Sequence, residues 1–98
     1  MVPEADAATI ATVLGITNVM AELQEFPISV AGAVNSFLVR RFYDRRQIIY
    51  LMRWHPDEEQ WTANELMWGE PGQHLAISDA AVDRGTIRLN FVTWTKDE

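Results

Sequence analysis

The chain contains no cysteine. Disulfides, thiolate nucleophiles and cysteine-ligated zinc or iron–sulfur centres are therefore excluded. Small secreted domains commonly depend on disulfides, so the absence favours a reducing compartment, and a cytoplasmic location is expected. Long apolar runs are missing too. The charge-free stretch from Ala7 to Ala21 is shorter than the roughly 20 apolar residues needed to span a bilayer, and it holds three threonines and Asn18. No membrane partner is expected. The N-terminal MVPEADAAT has no basic segment and carries Glu4 and Asp6, unlike a secretory leader. The five glycines are scattered singly, which leaves no Gly-rich phosphate loop. No internal repeat is visible, so solenoid and propeller architectures are set aside.

Positive charge is also scarce: 8 Lys and Arg stand against 14 Asp and Glu, for a net charge of −6. Its distribution is uneven. Residues 40–54 carry five arginines and one acid, a local +4, while the rest of the chain has three basic groups against thirteen acids, −10. An acidic molecule of this kind disfavours general contact with nucleic acid, although one local patch could still meet phosphate or an acidic partner.

What is present in quantity is apolar surface. Of 98 residues, 48% are hydrophobic, enough to offset the entropy of ordering one domain over residues 1–98. From Ala7 to Gln24, Ile10, Val13, Leu14 and Met20 recur at helical spacing, which predicts a first helix ending before Phe26-Pro27. Ile16, Val19 and Leu23 make its apolar stripe unusually wide, a mark of a central or partnered helix. Ser29 reads as an N-cap, and Val34, Phe37, Leu38 and Phe42 predict a second helix running to about Arg46. A competing assignment makes Phe37–Tyr43 a strand followed by a turn at Asp44-Arg45-Arg46.

The remainder is strand-like. Gln47–Trp54 and Trp61–Trp68 flank the polar HPDEEQ and predict a hairpin in which Trp54 faces Trp61, Met52 faces Ala63, Tyr50 faces Glu65 and Ile48 faces Met67. HLAIS suggests a short strand, and SDAAVDRG a short helix or a long loop. Thr86–Trp94 alternates cleanly. The expected fold is α+β: two N-terminal helices packed on one side of a small antiparallel sheet made of hairpin 47–68 plus a C-terminal strand 86–94.

Catalytic and metal signatures are thin. His55, Asp57, Glu58 and Glu59 lie together but follow no ligand-loop pattern and read as a solvated turn. Ser29, Ser36 and Ser78 lie in no G-x-S-x-G context. Asp79 and Asp83 read as exposed acids at a helix start. No enzymatic activity, cofactor or metal is expected. The residues assigned to partner binding are Arg40, Arg41, Arg45 and Arg46, whose forked donors suit carboxylates and phosphates, with Tyr43 and an exposed Trp68. The same arginines could instead pair with the chain's own acids.

The four tryptophans, the wide helix and a strand at 47–54 that is apolar on both faces exceed what a single small core should hide. The expected function is a small acidic protein-binding module, of inhibitor, immunity or assembly-subunit type, docking on a protein or on copies of itself. Nucleic-acid binding through the arginine segment ranks second. Third is a small-molecule site or enzyme whose pocket, between helices and sheet, uses Tyr50, Glu65 and His74.

Overall fold

A computed structural model describes residues 2–95. It is mostly β. In chain order the elements are α1 (Ala7–Leu14), α2 (Val19–Glu22), β1 (Leu23–Ser29), β2 (Ser36–Tyr43), β3 (Arg46–His55), β4 (Gln60–Trp68), β5 (Gln73–Asp83) and β6 (Thr86–Thr95). Strands β1 to β4 form an antiparallel sheet in sequential order, and β5 and β6 form a separate two-stranded hairpin. The expectation of two long helices on one side of a sheet is overturned.

The first expected helix is cut by Gly15. Asp6 caps α1 by accepting the Thr9 N–H at 2.9 Å, and Gly15, at φ +72°, ends it with a bond back to Ala11. A left-handed position of this kind favours glycine and terminates the helical run. Asn18 then starts the four-residue α2, and the chain is extended from Leu23. The apolar residues that widened the predicted stripe are therefore divided: Ile16 lies in the linker after α1, Val19 in α2 and Leu23 in β1.

The second expected helix does not form. Residues 36–43 are β2, which pairs with β3 in an unbroken register from Ser36↔Arg53 to Tyr43↔Arg46. Asp44 and Arg45 make the two-residue turn, both at positive φ. This is the competing strand-and-turn assignment. Its physical basis is burial on both faces: Leu38 and Val39 are adjacent, point to opposite sides, and are both fully buried. A strand covered on both faces loses the alternating pattern that would distinguish it from a helix.

The β3–β4 hairpin has Trp54 opposite Trp61, Met52 opposite Ala63 and Tyr50 opposite Glu65. The fourth expected pair shifts. A bulge at Leu66 sets Ile49 against Met67 and Ile48 against Trp68. Residues 78–85, expected as helix or loop, instead complete β5 and its turn. A bulge at Ser78 lies between the pairs Ile77↔Phe91 and Asp79↔Asn90, and Arg84-Gly85, both at positive φ, close the hairpin onto Thr86. The C-terminal strand forms, but it belongs to this hairpin and not to the main sheet.

The main sheet is thus the middle of three layers. On one face Val39, Ile48, Tyr50 and Met52 pack around Ile10 of α1, with Phe37, Trp61 and Ala63 at the margin. On the other, Leu38 and Ile49 pack against Leu75 and Ala80 of β5, with Ile77, Val82 and Leu89 alongside. The hairpin is also tied to the sheet by backbone bonds. Ala31, just past β1, donates to Ala80 O at 2.9 Å and accepts from Val82 N at 2.8 Å. No helix among the described residues is long and apolar enough to cross a membrane.

Candidate functional site

Strand alternation divides the arginine segment. Arg41 and Tyr43 lie on the α1 face of β2, with Arg40 and Phe42 on the hairpin face. Each of the first two arginines is engaged internally. Arg41 Nε and Nη2 donate to Glu22 Oε1 at 3.0 and 2.6 Å, and its Nη1 donates to the buried Tyr50 hydroxyl at 3.0 Å. Burial works against the Arg41 charge, but the hydrogen bonds to Glu22 and Tyr50 outweigh it and hold its pKa above the ordinary arginine value. Arg40 pairs with Glu25 at 3.2 Å and donates to Leu75 O at 2.6 Å, linking β1, β2 and β5. The charge of these two residues is largely spent holding layers together.

Arg45 is exposed at the tip of the β2–β3 turn, and its carbonyl accepts from Gly72 N at 3.0 Å. Arg46 lies opposite Tyr43, with its guanidinium 5.8 Å from the centre of the Trp68 ring. Arg41 stands 4.6 Å over the Tyr43 ring. Trp68 is 44% exposed, and its indole N–H donates to Glu65 at 2.7 Å, a contact allowed by the Leu66 bulge. Arg41, Tyr43, Arg46 and Trp68 therefore share one end of the α1 face. Arg40 lies behind the sheet. Cation–aromatic contacts of this kind order the side chains and make a firm, half-apolar surface. With Asp44, Glu22 and Glu65 beside Arg41, Arg45 and Arg46, its charge is close to balanced.

The three polar residues expected to line a pocket do not converge. Tyr50 and Glu65 are cross-strand neighbours, but His74 is on β5, stacked on Trp94 at 5.4 Å. The described residues contain no group of three His, Asp or Glu placed to hold a metal ion. An open cleft of about 220 Å³ lies elsewhere, between the N-terminal segment and the Phe37–Trp61 pair, lined by Ala5, Pro27, Val34 and Asn35. It is smaller than typical small-molecule sites, and no titratable groups converge within it.

An exposed apolar surface on the hairpin was not anticipated. On β6, Phe91 is 46%, Val92 55% and Trp94 50% exposed. Val92 pairs with Ala76 and Trp94 with His74 on the outer side of the hairpin, and Phe91 pairs with Ile77 on the side facing the main sheet. Among the described residues, β6 has no strand neighbour beyond β5. The sequence signal was available: Thr86–Trp94 carries large residues on both alternating sets near its end, more than one buried face requires.

The chain matches no protein-family model, no curated protein and no solved structure. Functional inference therefore rests on these surfaces.

Proposed function

We propose that this protein is a non-enzymatic docking module that binds another polypeptide through the β5–β6 hairpin. The observation that carries this reading is the joint exposure of Phe91, Val92 and Trp94 on a strand with a free edge. Large aromatic side chains left half-exposed beside unpaired backbone groups are costly in water and productive in an interface. Extended partners add to such an edge through main-chain hydrogen bonds, with flanking side chains supplying specificity. Tyr43, Arg46 and Trp68 provide a secondary contact area at the opposite layer. Arg40 and Arg41 act internally, which removes two of the five cations from any docking role and weakens the nucleic-acid alternative.

Site-specific photo-cross-linking tests this. A photoreactive side chain at position 92 is expected to give covalent protein adducts under native conditions, while one at the exposed position 58 gives none. Equal yields at both positions, or none at either, would overturn the reading.

A further inference from the structure

Three edges of the two sheets face outward, and they differ. Strand β1 contains Pro27 and two register shifts, both of which obstruct further pairing. Strand β4 carries the Leu66 bulge and Glu65. Strand β6 runs ten residues with no proline, no bulge of its own and Arg88 as its single charge. Apart from that one arginine it has none of the devices that normally keep an edge strand from pairing.

The direction of its backbone groups follows from the hairpin. Ala80 and Val82 bond outward to Ala31, so their partners Leu89 and Ile87 sit in non-hydrogen-bonded pairs of the β5–β6 ladder. The N–H and C=O groups of Leu89 and Ile87 therefore point away from β5. Alternation along β6 gives Phe91, Thr93 and Thr95 the same outward direction.

We infer that the occupant of this edge is β6 of a second copy, paired antiparallel about a two-fold axis at Phe91. This deepens the docking reading and rests on it. Of the registers this parity allows, the axis at Phe91 is the one that sets Arg88, already paired with Asp83 of its own hairpin, opposite Trp94 of the second copy, twice, so that each guanidinium is within reach of an indole. Leu89 faces Thr93 and Asn90 faces Val92 in the same register. The hydrogen-bonding parity is also met, since the residues at the axis present their backbone groups outward. The two hairpins become one four-stranded sheet, β5-β6-β6-β5, and an isologous contact of this form closes on itself without propagating.

Sedimentation equilibrium of the whole chain is expected to give twice the 11.2 kDa chain mass. Phe91→Asp and Phe91→Lys each place like charges across the axis and should sediment as monomers, and an equimolar mixture of the two should recover the doubled mass. A monomeric wild type, or single variants that stay dimeric, would overturn the inference; a mixture that stays monomeric would overturn the register. Should either variant lose its far-ultraviolet circular dichroism, cysteine pairing decides instead. Asn90→Cys mixed with Val92→Cys should oxidise to a cross-linked pair while neither does so alone, and cross-linking of either variant alone, or none in the mixture, would refute the pairing. A monomeric wild type that still yields protein adducts from position 92 would remove self-pairing and leave the docking reading standing.

Discussion

Gln47 Oε1 accepts the backbone N–H of Leu75, joining the middle of the main sheet to the hairpin that covers it. Gln47 is only 5% exposed, and its other contacts extend the link. Its Nε2 donates to Gln24 Oε1 at 2.9 Å and its carbonyl accepts from Gly69 N at 2.8 Å. One side chain thus satisfies a strand end that the β5–β6 ladder leaves open. Gln47→Met keeps the volume but leaves the Leu75 N–H buried without a partner. The expected loss is about 1–3 kcal/mol, the desolvation cost of one orphaned donor. Urea unfolding measures it, and an unchanged midpoint would show that Leu75 finds another acceptor.

Strand character was legible where one face met a polar surround, as in Thr86–Trp94, and where a polar loop separated two β-rich runs, as at residues 47–68. It was hidden in β2 because Leu38 and Val39 are buried on opposite faces, which erases the two-residue period. The turn after β2 was legible only as the competing assignment, because Asp44 and Arg45 occupy left-handed positions that Asn-Gly would have announced. The three-layer arrangement came from long-range pairings, above all Ala31 with Ala80 and Val82, that no local window contains. Among the arginines, sequence supplied the cluster but not its division, because only the strand assignment sends Arg40 and Arg41 to opposite sides.

Arg41 should prove structural. It answers both Glu22 and the hydroxyl of Tyr50, which is 6% exposed. Arg41→Gln breaks a largely buried pair and leaves two polar groups without their partner, for an expected loss of about 3 kcal/mol. Tyr50→Phe removes one bond and should cost about 1 kcal/mol. The double variant should lose less than the sum of the two, since both delete the same contact. Strict additivity in denaturant unfolding would show that the hydroxyl and the guanidinium act independently.

Gly32 and Gly72 separate conformation from crowding. Both have positive φ, +84° and +79°, but a Cβ on Gly32 would sit 3.2 Å from Val82 O whereas one on Gly72 meets open space. Gly72→Ala pays only for the left-handed backbone, about 1 kcal/mol. Gly32→Ala pays that and also pushes against the seam where Ala31 bonds to β5, for an expected loss of about 2 kcal/mol. Hydrogen exchange should locate the additional loosening in the amides of Ala31 and Val82. Equal destabilisation by the two variants would mean that the seam yields freely.

Asp6 governs how α1 responds to acid. Its carboxylate accepts from the Thr9 N–H at 2.9 Å and from the Thr9 hydroxyl at 2.9 Å. The backbone bond from Thr9, followed by the hydroxyl bond, holds its pKa below the ordinary carboxylate range. A carboxyl whose folded pKa is depressed adds stability that is present above its unfolded pKa and is lost as pH falls through the folded one. The cap therefore works at neutral pH and fails in acid, below the range where free aspartates protonate. Asp6→Asn keeps an oxygen acceptor and removes the titration, so its α1 should be stable at neutral pH and lose less on acidification than the wild type. Asp6→Ala should be weaker at neutral pH and show the same shallow acid response. Amide exchange at Thr9 and Ile10 across an acid titration compares the three chains, and identical acid profiles would remove Asp6 from the pH dependence.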